Sequence, residues 1–435
     1  MTANELIKKI ENKSVLVGVL GLGYVGLPLA VTFAKNSIRV LGFEKSEEKA
    51  RRVNAAENYI GDVEDSDLTQ VVSAGTLVAT TDFSRIAECD AAIICVPTPL
   101  DRFKKPDLGF VEGAAAEIGK YLKPGAFVCL ESTTFPTTTE AVLKPILERE
   151  SGLRCGDGFF LAYSPERVDP GNKNWKTENT PKVVGAMSQE GLEIALKLYG
   201  TSVRHLLPVS SPRSAEMVKI LENTYRLVNI SLVNELALLA GKMGIDLWEV
   251  IEAAKTKPYG FQAFYPGPGI GGHCIPLDPF YLEYIAKQYD FDLTMIHTAG
   301  HIDLLMPHRM MIKVTSALNR RKKAVNGSKV LFLGVAYKPD IADDRESPAL
   351  RIMDEAVNKG AVVSYHDPHV PQTTTPGGTT LESIALSPQE VRAADCVVIA
   401  CRHSSFDLSM IAREADLVVD LQNAFPKATD GVYKL

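Results

Sequence analysis

The chain has 435 residues, of which 46% are hydrophobic and 23% are charged, and its formal net charge is -6. This length exceeds what one hydrophobic core usually serves, so two or three domains are expected. A weakly acidic chain disfavours nucleic acid as a partner, and no apolar run reaches the roughly 18 residues that a membrane span needs.

The amino terminus and the cysteines indicate the compartment. Residues 1–10 have the pattern of a short amphipathic helix and lack the apolar core of a signal peptide. The seven cysteines include no C-x-x-C pair, so neither a disulfide framework nor a zinc site is expected. The sequence therefore predicts a cytoplasmic protein without a metal.

A glycine-rich turn follows the first strand-like segment, residues 14–20. Its G-x-G-x-x-G spacing, between a buried strand and a helix, is the context in which backbone amides bind a dinucleotide pyrophosphate. Glu44, about 20 residues further on, can accept from ribose hydroxyls and favours NAD over NADP. The residues predicted to bind NAD here are Gly21, Gly23, Tyr24, Val25, Gly26 and Glu44.

Buried strand patterns occur in two sets, separated by helix-length segments, as a parallel sheet covered on both faces requires. The two sets are 14–20, 39–44 and 91–96, and then 329–335, 361–367 and 396–401. The predicted fold is α/β, with two doubly wound Rossmann-like domains joined by a central helical domain. The second set has no G-x-G-x-x-G turn after its first strand.

Apolar side chains recur at helical spacing in residues 212–241, which predicts one long helix of roughly 28 residues, about 42 Å, that can also serve self-association. We therefore place domains at 1–207, 208–310 and 311–435. Lys219 and Asn223 lie four apart on this helix, hence on one face. They are either an exposed polar stripe or a pair that stabilises an oxyanion.

The glycine- and proline-rich segment 265–279 contains Cys274. A thiol in a dehydrogenase can add to the aldehyde from a first oxidation and carry it through a second, giving a thioester that water hydrolyses. The neighbouring His273 could pair with the thiol, although sequence neighbours commonly point apart, and it lacks further ligands for a metal.

Two carboxylates are candidates for proton transfer. Glu166 could act as a general base through water, or be a turn residue paired with Arg167. Asp278, four residues after Cys274, could orient water or a lysine, or cap a helix that Pro279 begins.

The motifs along nearly the whole chain resemble, in order, those of the UDP-glucose/GDP-mannose dehydrogenase family. Besides the glycine turn they are the segments 95–99, 131–134, 164–167, 216–223, 265–279, 337–340 and 345–348. The resemblance implies an NAD-binding first domain, a central dimerisation segment that makes a homodimer, and a last domain that binds the UDP-sugar.

The resemblance also implies residue roles. Cys274 is the nucleophile, Lys219 and Asn223 stabilise the oxyanion, Asp278 and Glu166 assist proton transfer and hydrolysis, and Thr133 positions water. Further residues expected to line NAD are Val96, Thr98, Ser132 and Arg345. Residues expected to bind substrate are Glu166, Arg167, Lys219, Asn223, Tyr265, Gly271 and Lys338.

The cysteine loop differs from that of the glucose-oxidising members, because glycine and histidine precede Cys274 and leucine precedes Asp278. It is similar to the branch that oxidises N-acetylated hexosamines. The expected reaction is therefore the four-electron oxidation of the C6 alcohol of a UDP-N-acetylhexosamine, with UDP-N-acetylglucosamine as the favoured substrate. UDP-N-acetylmannosamine and UDP-glucose are the alternatives.

Three other classes remain for comparison. A two-electron dehydrogenase of the hydroxyacid type shares the first domain and the Lys219–Asn223 spacing but has no need of Cys274. Short-chain epimerases require Tyr-x-x-x-Lys, which the sequence lacks. A non-catalytic NAD sensor has only the general argument that fold does not dictate function.

Overall fold

The computed structural model describes residues 1–101, 105–169, 171–172, 174–272, 274–425 and 431–435. These residues form two compact units. The first comprises Met1–Glu222 and Phe280–Asp290, and the second comprises Asn223–Pro279 and Phe291–Leu435. Two helices, α8 (Pro212–Met243) and α10 (Cys274–Ala286), contribute residues to both units.

The first unit is a doubly wound α/β layer structure. Its strands are β1 (Leu16–Leu20), β2 (Arg39–Phe43), β3 (Leu77–Thr80), β4 (Ala91–Ile94), β5 (Ala126–Leu130), β6 (Phe159–Tyr163), β7 (Lys182–Ala186) and β8 (Leu206–Pro208). Its helices are α1 (Ala3–Glu11), α2 (Gly26–Lys35), α3 (Glu47–Asn54), α4 (Asp65–Ser73), α5 (Gly109–Tyr121), α6 (Lys144–Ser151) and α7 (Gln189–Gly200). Short 3-10 turns cover Phe83–Glu88 and Lys287–Tyr289, and a π-helical turn covers Thr139–Leu143.

The eight strands form one sheet in the order β3-β2-β1-β4-β5-β6-β7-β8. Every neighbouring pair is parallel except β6 and β7, which are antiparallel. Buried side chains pack on both faces of the sheet, as expected for strands that are apolar throughout. The antiparallel β7 places its first residue near the carboxyl ends of β5 and β6, where the chemistry of such sheets is concentrated.

The second unit combines helices with a smaller sheet. Its helices, besides its parts of α8 and α10, are α9 (Leu247–Ala254), α11 (Thr294–Arg320), α12 (Pro348–Asn358), α13 (Pro388–Ala393) and α14 (Leu408–Glu414). Its strands are β9 (Lys329–Leu333), β10 (Val362–His366), β11 (Gln372–Thr374), β12 (Thr380–Glu382), β13 (Cys396–Ile399), β14 (Val418–Asp420) and β15 (Val432–Lys434). Five strands form a parallel sheet in the order β10-β9-β13-β14-β15, and β11 pairs with β12 as a hairpin.

The predicted architecture is confirmed: two Rossmann-like sheets are separated along the chain by helical segments, including the long helix α8. The cysteines within or beside the strands are buried, as small core residues should be: Cys89, Cys95, Cys129, Cys396 and Cys401. Across the described ranges, no helix combines the length and apolarity needed to cross a membrane.

Candidate active site

The glycine turn between β1 and α2 is shaped by close backbone packing. Gly21 has a φ of +90°, and a Cβ there would lie 2.7 Å from the carbonyl oxygen of Cys95. A Cβ on Gly26 would lie 1.8 Å from the carbonyl oxygen of Gly21. A Cβ on Gly23 would meet no atom within 4 Å, so this position leaves room for a phosphate beside the backbone. The turn therefore fits a dinucleotide. Between these glycines, Tyr24 and Val25 lead into α2.

Glu44 is held at the carboxyl end of β2. Its two carboxylate oxygens accept hydrogen bonds from the amides of Leu22 and Ser46, each at 3.2 Å. The Tyr59 hydroxyl donates to the Leu22 carbonyl at 2.7 Å, and burial together with the charge of Glu44 raises the pKa of Tyr59 to about 12. Tyr59 thus braces the turn as a neutral donor, a role that sequence reasoning missed because 37 residues separate the partners.

Three other predicted cofactor residues, Val96, Thr98 and Ser132, lie on the loops that follow β4 and β5. The Ser132 hydroxyl donates to the carbonyl of Val96 at 2.7 Å, and both Ser132 and Thr98 are buried. The carbonyl of Thr98 accepts a hydrogen bond from the Tyr281 hydroxyl. These contacts fix the loops at the carboxyl edge of the sheet, on the side where a doubly wound fold binds its ligand.

The loop that begins near Thr133 is tied to α8 by one buried carboxylate. Glu216 accepts hydrogen bonds from the amides of Thr137 and Thr139 at 2.6 and 2.9 Å, and from the Thr139 hydroxyl at 2.7 Å. Thr137 has a φ of +90°, so this anchoring holds a strained turn. Burial raises the pKa of Glu216 to about 7, against the effect of these hydrogen bonds. Lys219, also buried, follows on the same helix.

Glu166 follows β6 and is held by the backbone. One of its oxygens accepts from the amides of Arg167 and Val168 at 2.8 and 2.7 Å. The guanidinium of Arg167 instead pairs with Glu222 at 2.5 Å and donates to the carbonyl of Pro181 at 2.6 Å. The Glu166 carboxylate is therefore not neutralised by the Arg167 guanidinium, which was the structural alternative for this residue.

In the second unit, α10 begins at Cys274, whose side chain is exposed. Helix N-termini stabilise negative charge, so this position suits a thiolate. Asp278 lies one turn further on, inside the helix, and does not cap it, although Pro279 follows. The Asn223 amide donates to the Asp278 carboxylate at 2.5 Å, and both are buried. His273 lies outside the described residues, so both hypotheses about its imidazole remain predictions.

Two buried side chains hold the glycine-rich loop before Cys274. Asn234 of α8 accepts from the amide of Gly267 at 2.9 Å, and Asp303 of α11 accepts from the amide of Ile270 at 2.7 Å. Sequence reasoning missed both residues. Their only signal is a polar residue within an apolar helical stripe, which is also common on exposed faces.

The same loop packs closely on the segment that follows β9. A Cβ on Gly271 would lie 2.6 Å from Cβ of Tyr337, and Gly272, with a φ of +81°, lies against the Tyr337 ring. The amide of Gly272 donates to the carbonyl of Arg345 at 2.9 Å. The Arg345 guanidinium forms an ion pair with Asp343 at 2.6 Å. Two motifs more than 60 residues apart in sequence thus form one surface.

The remaining predicted substrate residues occupy different places in the second unit. Tyr265 stacks on Trp248, with ring centroids 5.1 Å apart, and its hydroxyl donates to Glu252 at 2.6 Å. These contacts tie Tyr265 to α9. Lys338 lies next to Tyr337 on the segment after β9 and is half-buried.

In the second sheet, a side chain binds the backbone amides of the turn that follows β9. The Asp367 carboxylate accepts from the amides of Val335 and Ala336 at 2.8 and 3.0 Å, where a dinucleotide fold would present free amides. His403 donates to the same oxygen at 2.9 Å. Burial alone would raise the pKa of Asp367, but the hydrogen bonds from His403 and the backbone lower it to about 2. The amides of this turn are thus engaged by a carboxylate of the chain itself, which agrees with the missing glycine motif.

Potential metal ligands also meet near this turn, since donor atoms of Asp340, His369 and His403 lie within 4.8 Å of one another. Both ring nitrogens of His403 are engaged, one by the Asp340 amide at 2.9 Å and the other by Asp367. These two hydrogen bonds of His403 hold the loop after Lys338 in place.

The first sheet, with its open glycine turn and anchored acid after β2, defines the class as an NAD-dependent oxidoreductase with a Rossmann-type cofactor domain. Three family domains match in sequence. They are the NAD binding domain of the UDP-glucose/GDP-mannose dehydrogenase family at residues 15–203, its central domain at 213–303 and its UDP binding domain at 331–427. The chain belongs to the UDP-glucose/GDP-mannose dehydrogenase family. It is an NAD-dependent nucleotide-sugar dehydrogenase, which confirms the predicted enzyme class and cofactor.

Individual relatives share most of their length with this chain. A UDP-N-acetyl-D-mannosamine dehydrogenase from Pyrococcus horikoshii is 36% identical over 391 residues, 90% of each chain. A UDP-N-acetyl-D-glucosamine 6-dehydrogenase from Pseudomonas aeruginosa is 35% identical over 404 residues, 91% of this chain and 92% of the relative. The solved structure of a UDP-D-ManNAc dehydrogenase from Pyrococcus horikoshii superposes with a TM-score of 0.88 at 33% identity, covering 96% of this chain and 98% of that one.

Proposed function

We propose that the protein oxidises the C6 alcohol of UDP-N-acetylglucosamine to the uronic acid, using two NAD and one water. The observation that carries the proposal is the exposed Cys274 thiol at the start of α10, one helical turn before the buried Asp278–Asn223 pair. A two-electron dehydrogenase has no use for such a thiol, whereas a four-electron enzyme needs it to retain the intermediate.

In this mechanism NAD supplies the hydride acceptor for each of two oxidations. The Cys274 thiolate adds to the C6 aldehyde from the first oxidation, which forms a C–S bond and a thiohemiacetal. Loss of the second hydride gives a thioester. Water then attacks the carbonyl carbon, the C–S bond breaks, and the thiol and the carboxylate product are released. The electrons removed from the sugar leave as two NADH.

The chain's other candidate residues act on protons and charge. Lys219 and Asn223 stabilise the negative oxygen that develops on C6. Glu166 and Asp278 move protons during oxidation and hydrolysis, and Thr133 holds the attacking water. The fixed carboxylate of Glu166 and the 2.5 Å contact of Asn223 with Asp278 support these assignments, because proton transfer requires groups held in place.

For the sugar, similar levels of identity link the chain to relatives named for glucosamine and for mannosamine substrates. The residues that precede Cys274 and Asp278 resemble those of the branch that oxidises N-acetylated hexosamines. This resemblance favours an N-acetylhexosamine as the substrate. A panel of UDP-glucose and the gluco, galacto and manno N-acetyl sugars tests this choice. We expect kcat/KM for UDP-N-acetylglucosamine to exceed the others at least about tenfold. A higher value for another sugar would change the substrate and leave the chemistry intact.

The four-electron route is tested by counting NADH. Wild-type enzyme should release two NADH per UDP-sugar, and Cys274→Ala should lose turnover while binding NAD normally. Cys155→Ala is the matched control, because it removes a half-buried thiol elsewhere in the chain. One NADH per sugar with release of free aldehyde, or an active Cys274→Ala variant, would instead support the two-electron alternative. No NADH with any sugar would support a sensor.

We also propose that two copies associate through α8. In the second unit this helix exposes a stripe of apolar side chains at spacings of three, four and seven residues. They are Tyr225, Leu232, Leu236, Leu239 and Met243, each at least 41% exposed. A stripe at these spacings is typical of helix pairing between chains.

Light scattering tests the homodimer. Leu232→Lys combined with Leu239→Lys should convert a dimer to a monomer, whereas the control Glu249→Lys on α9 should not. A wild-type monomer would contradict the proposal. The domain boundaries at 207/208 and 310/311, and the cytoplasmic location, remain predictions from the sequence.

A further inference from the structure

A buried charged cluster lies directly behind Glu166 in the first unit. The Lys182 ammonium forms an ion pair with Glu131 at 2.8 Å and lies 3.8 Å from the second oxygen of Glu166. The Tyr199 hydroxyl donates to the other oxygen of Glu131 at 2.5 Å. The sheet creates this cluster, because antiparallel β7 starts with Lys182 beside the ends of β5 and β6.

Burying these charges costs free energy, and this cost is not recovered if the cluster only stabilises the fold. The side chains of Lys182 and Glu131 are only 6% and 0% exposed, and a buried ion pair is commonly no more stable than apolar residues of similar volume. Burial by itself lowers the pKa of Lys182, but the carboxylates of Glu131 and Glu166 raise it above its usual value. The ammonium is therefore charged, with one carboxylate to neutralise it and a second within reach.

Glu166 is the member of the cluster that approaches solvent, with 16% of its side chain exposed. Its first oxygen is fixed by the amides of Arg167 and Val168, and its second oxygen faces Lys182. An ammonium at 3.8 Å restricts how this oxygen can rotate without covering it by a short hydrogen bond. The oxygen thus stays available to a water or a substrate proton.

We propose that Lys182, held by Glu131 and Tyr199, is a positioning residue that orients the Glu166 carboxylate for proton transfer. This inference rests on the proposed role of Glu166. Lys182 itself touches neither substrate nor cofactor in this role. Every member of the cluster lies within the first unit, and none belongs to the glycine turn or to the cysteine loop.

A double-mutant cycle tests the proposal with Lys182→Met, Glu166→Gln and the combined variant. The substrate is the UDP-sugar with the highest wild-type kcat/KM. We expect Lys182→Met to lower kcat about tenfold to a hundredfold, as misplacement of a catalytic group does. The KM for NAD should stay within about threefold, since binding is not affected. In the Glu166→Gln background, Lys182→Met should lower kcat no further.

Folding controls keep the cycle interpretable. Lys197→Met removes an exposed lysine paired with Glu11 and should leave kcat unchanged. If Lys182→Met unfolds because Glu131 is left buried without its partner, Glu131→Gln combined with Lys182→Met removes both charges and replaces it in the cycle.

The results distinguish a failure of the proposed role of Lys182 from a failure of the proposed role of Glu166. If Glu166→Gln lowers kcat but Lys182→Met does not, or if the two losses multiply in the combined variant, the positioning role is wrong and Glu166 keeps its proposed role. If Glu166→Gln leaves kcat unchanged, the proposed role of Glu166 fails, and the role of Lys182 fails with it.

Discussion

Glu216 should make the stability of the first unit depend on pH near neutrality. Burial raises its pKa from 4.5 to about 7, although three hydrogen bonds from Thr137 and Thr139 oppose that change. A carboxyl group with a raised pKa in the folded state favours folding when it is neutral. Its contribution is complete below about pH 4.5 and is lost as the pH rises through 7.

The size of the effect follows from the two pKa values. Each pH unit over which the folded protein holds a proton that the unfolded chain has lost is worth about 1.4 kcal/mol. Between pH 5 and pH 8 the contribution of Glu216 to the free energy of unfolding should therefore fall by about 2.5 kcal/mol. This is a large share of the stability of an ordinary domain, which is about 5–15 kcal/mol.

The measurement compares the wild type with Glu216→Gln, which cannot titrate. Both are made with Trp248→Phe, so that Trp175 alone reports urea unfolding of the first unit, at each pH from 5 to 8. The difference in free energy of unfolding should decrease by about 2.5 kcal/mol across this range. Glu193→Gln, which removes an exposed carboxylate of α7, should give a constant difference. A constant difference for Glu216→Gln as well would refute the reasoning.

Two further predictions concern the cofactor turn and the catalytic helix. Gly26→Ala should lower the Tm of the NAD-free protein, because the new Cβ would lie 1.8 Å from the Gly21 carbonyl oxygen. Gly23→Ala should leave that Tm unchanged but weaken NAD binding at least about tenfold, measured by calorimetry. Equal effects on Tm would contradict this geometry. Asn223→Leu removes the 2.5 Å hydrogen bond to Asp278 and should cost about 1.5–3 kcal/mol by denaturant unfolding, with a loss of kcat. An unchanged free energy of unfolding would show that the contact does not hold the carboxylate.

Sequence patterns predicted local structure well where the residues that determine it lie within one helix, strand or turn. The Gly21–Gly26 turn follows a buried strand and precedes a helix, and the structure has that arrangement between β1 and α2. The apolar periodicity of residues 212–241 predicted a helix that the structure shows as Pro212–Met243. Each case depends on the repeat of the backbone itself, which is the same in any fold.

The alternatives for single polar residues needed the tertiary structure. From sequence, Glu166 could have been a partner of Arg167, but the Arg167 guanidinium pairs with Glu222, 55 residues away. Asp278 could have capped a helix at Pro279, but it lies inside α10 and accepts from Asn223, also 55 residues away. The hydrogen-bond partner of a side chain depends on which elements pack against it. The residues adjacent in sequence do not determine that packing.

The sequence by itself determined the Rossmann-like strands, the cofactor turn and the helical spacing, because short-range backbone geometry governs all three. Only the tertiary structure decided that Lys182 lies behind Glu166 and that Asp367 closes the second sheet's first turn. Those contacts follow from strand order and, in the first sheet, from the antiparallel pairing of β6 with β7. Strand order is set by the packing of the whole unit, so it brings together charges that are distant along the chain.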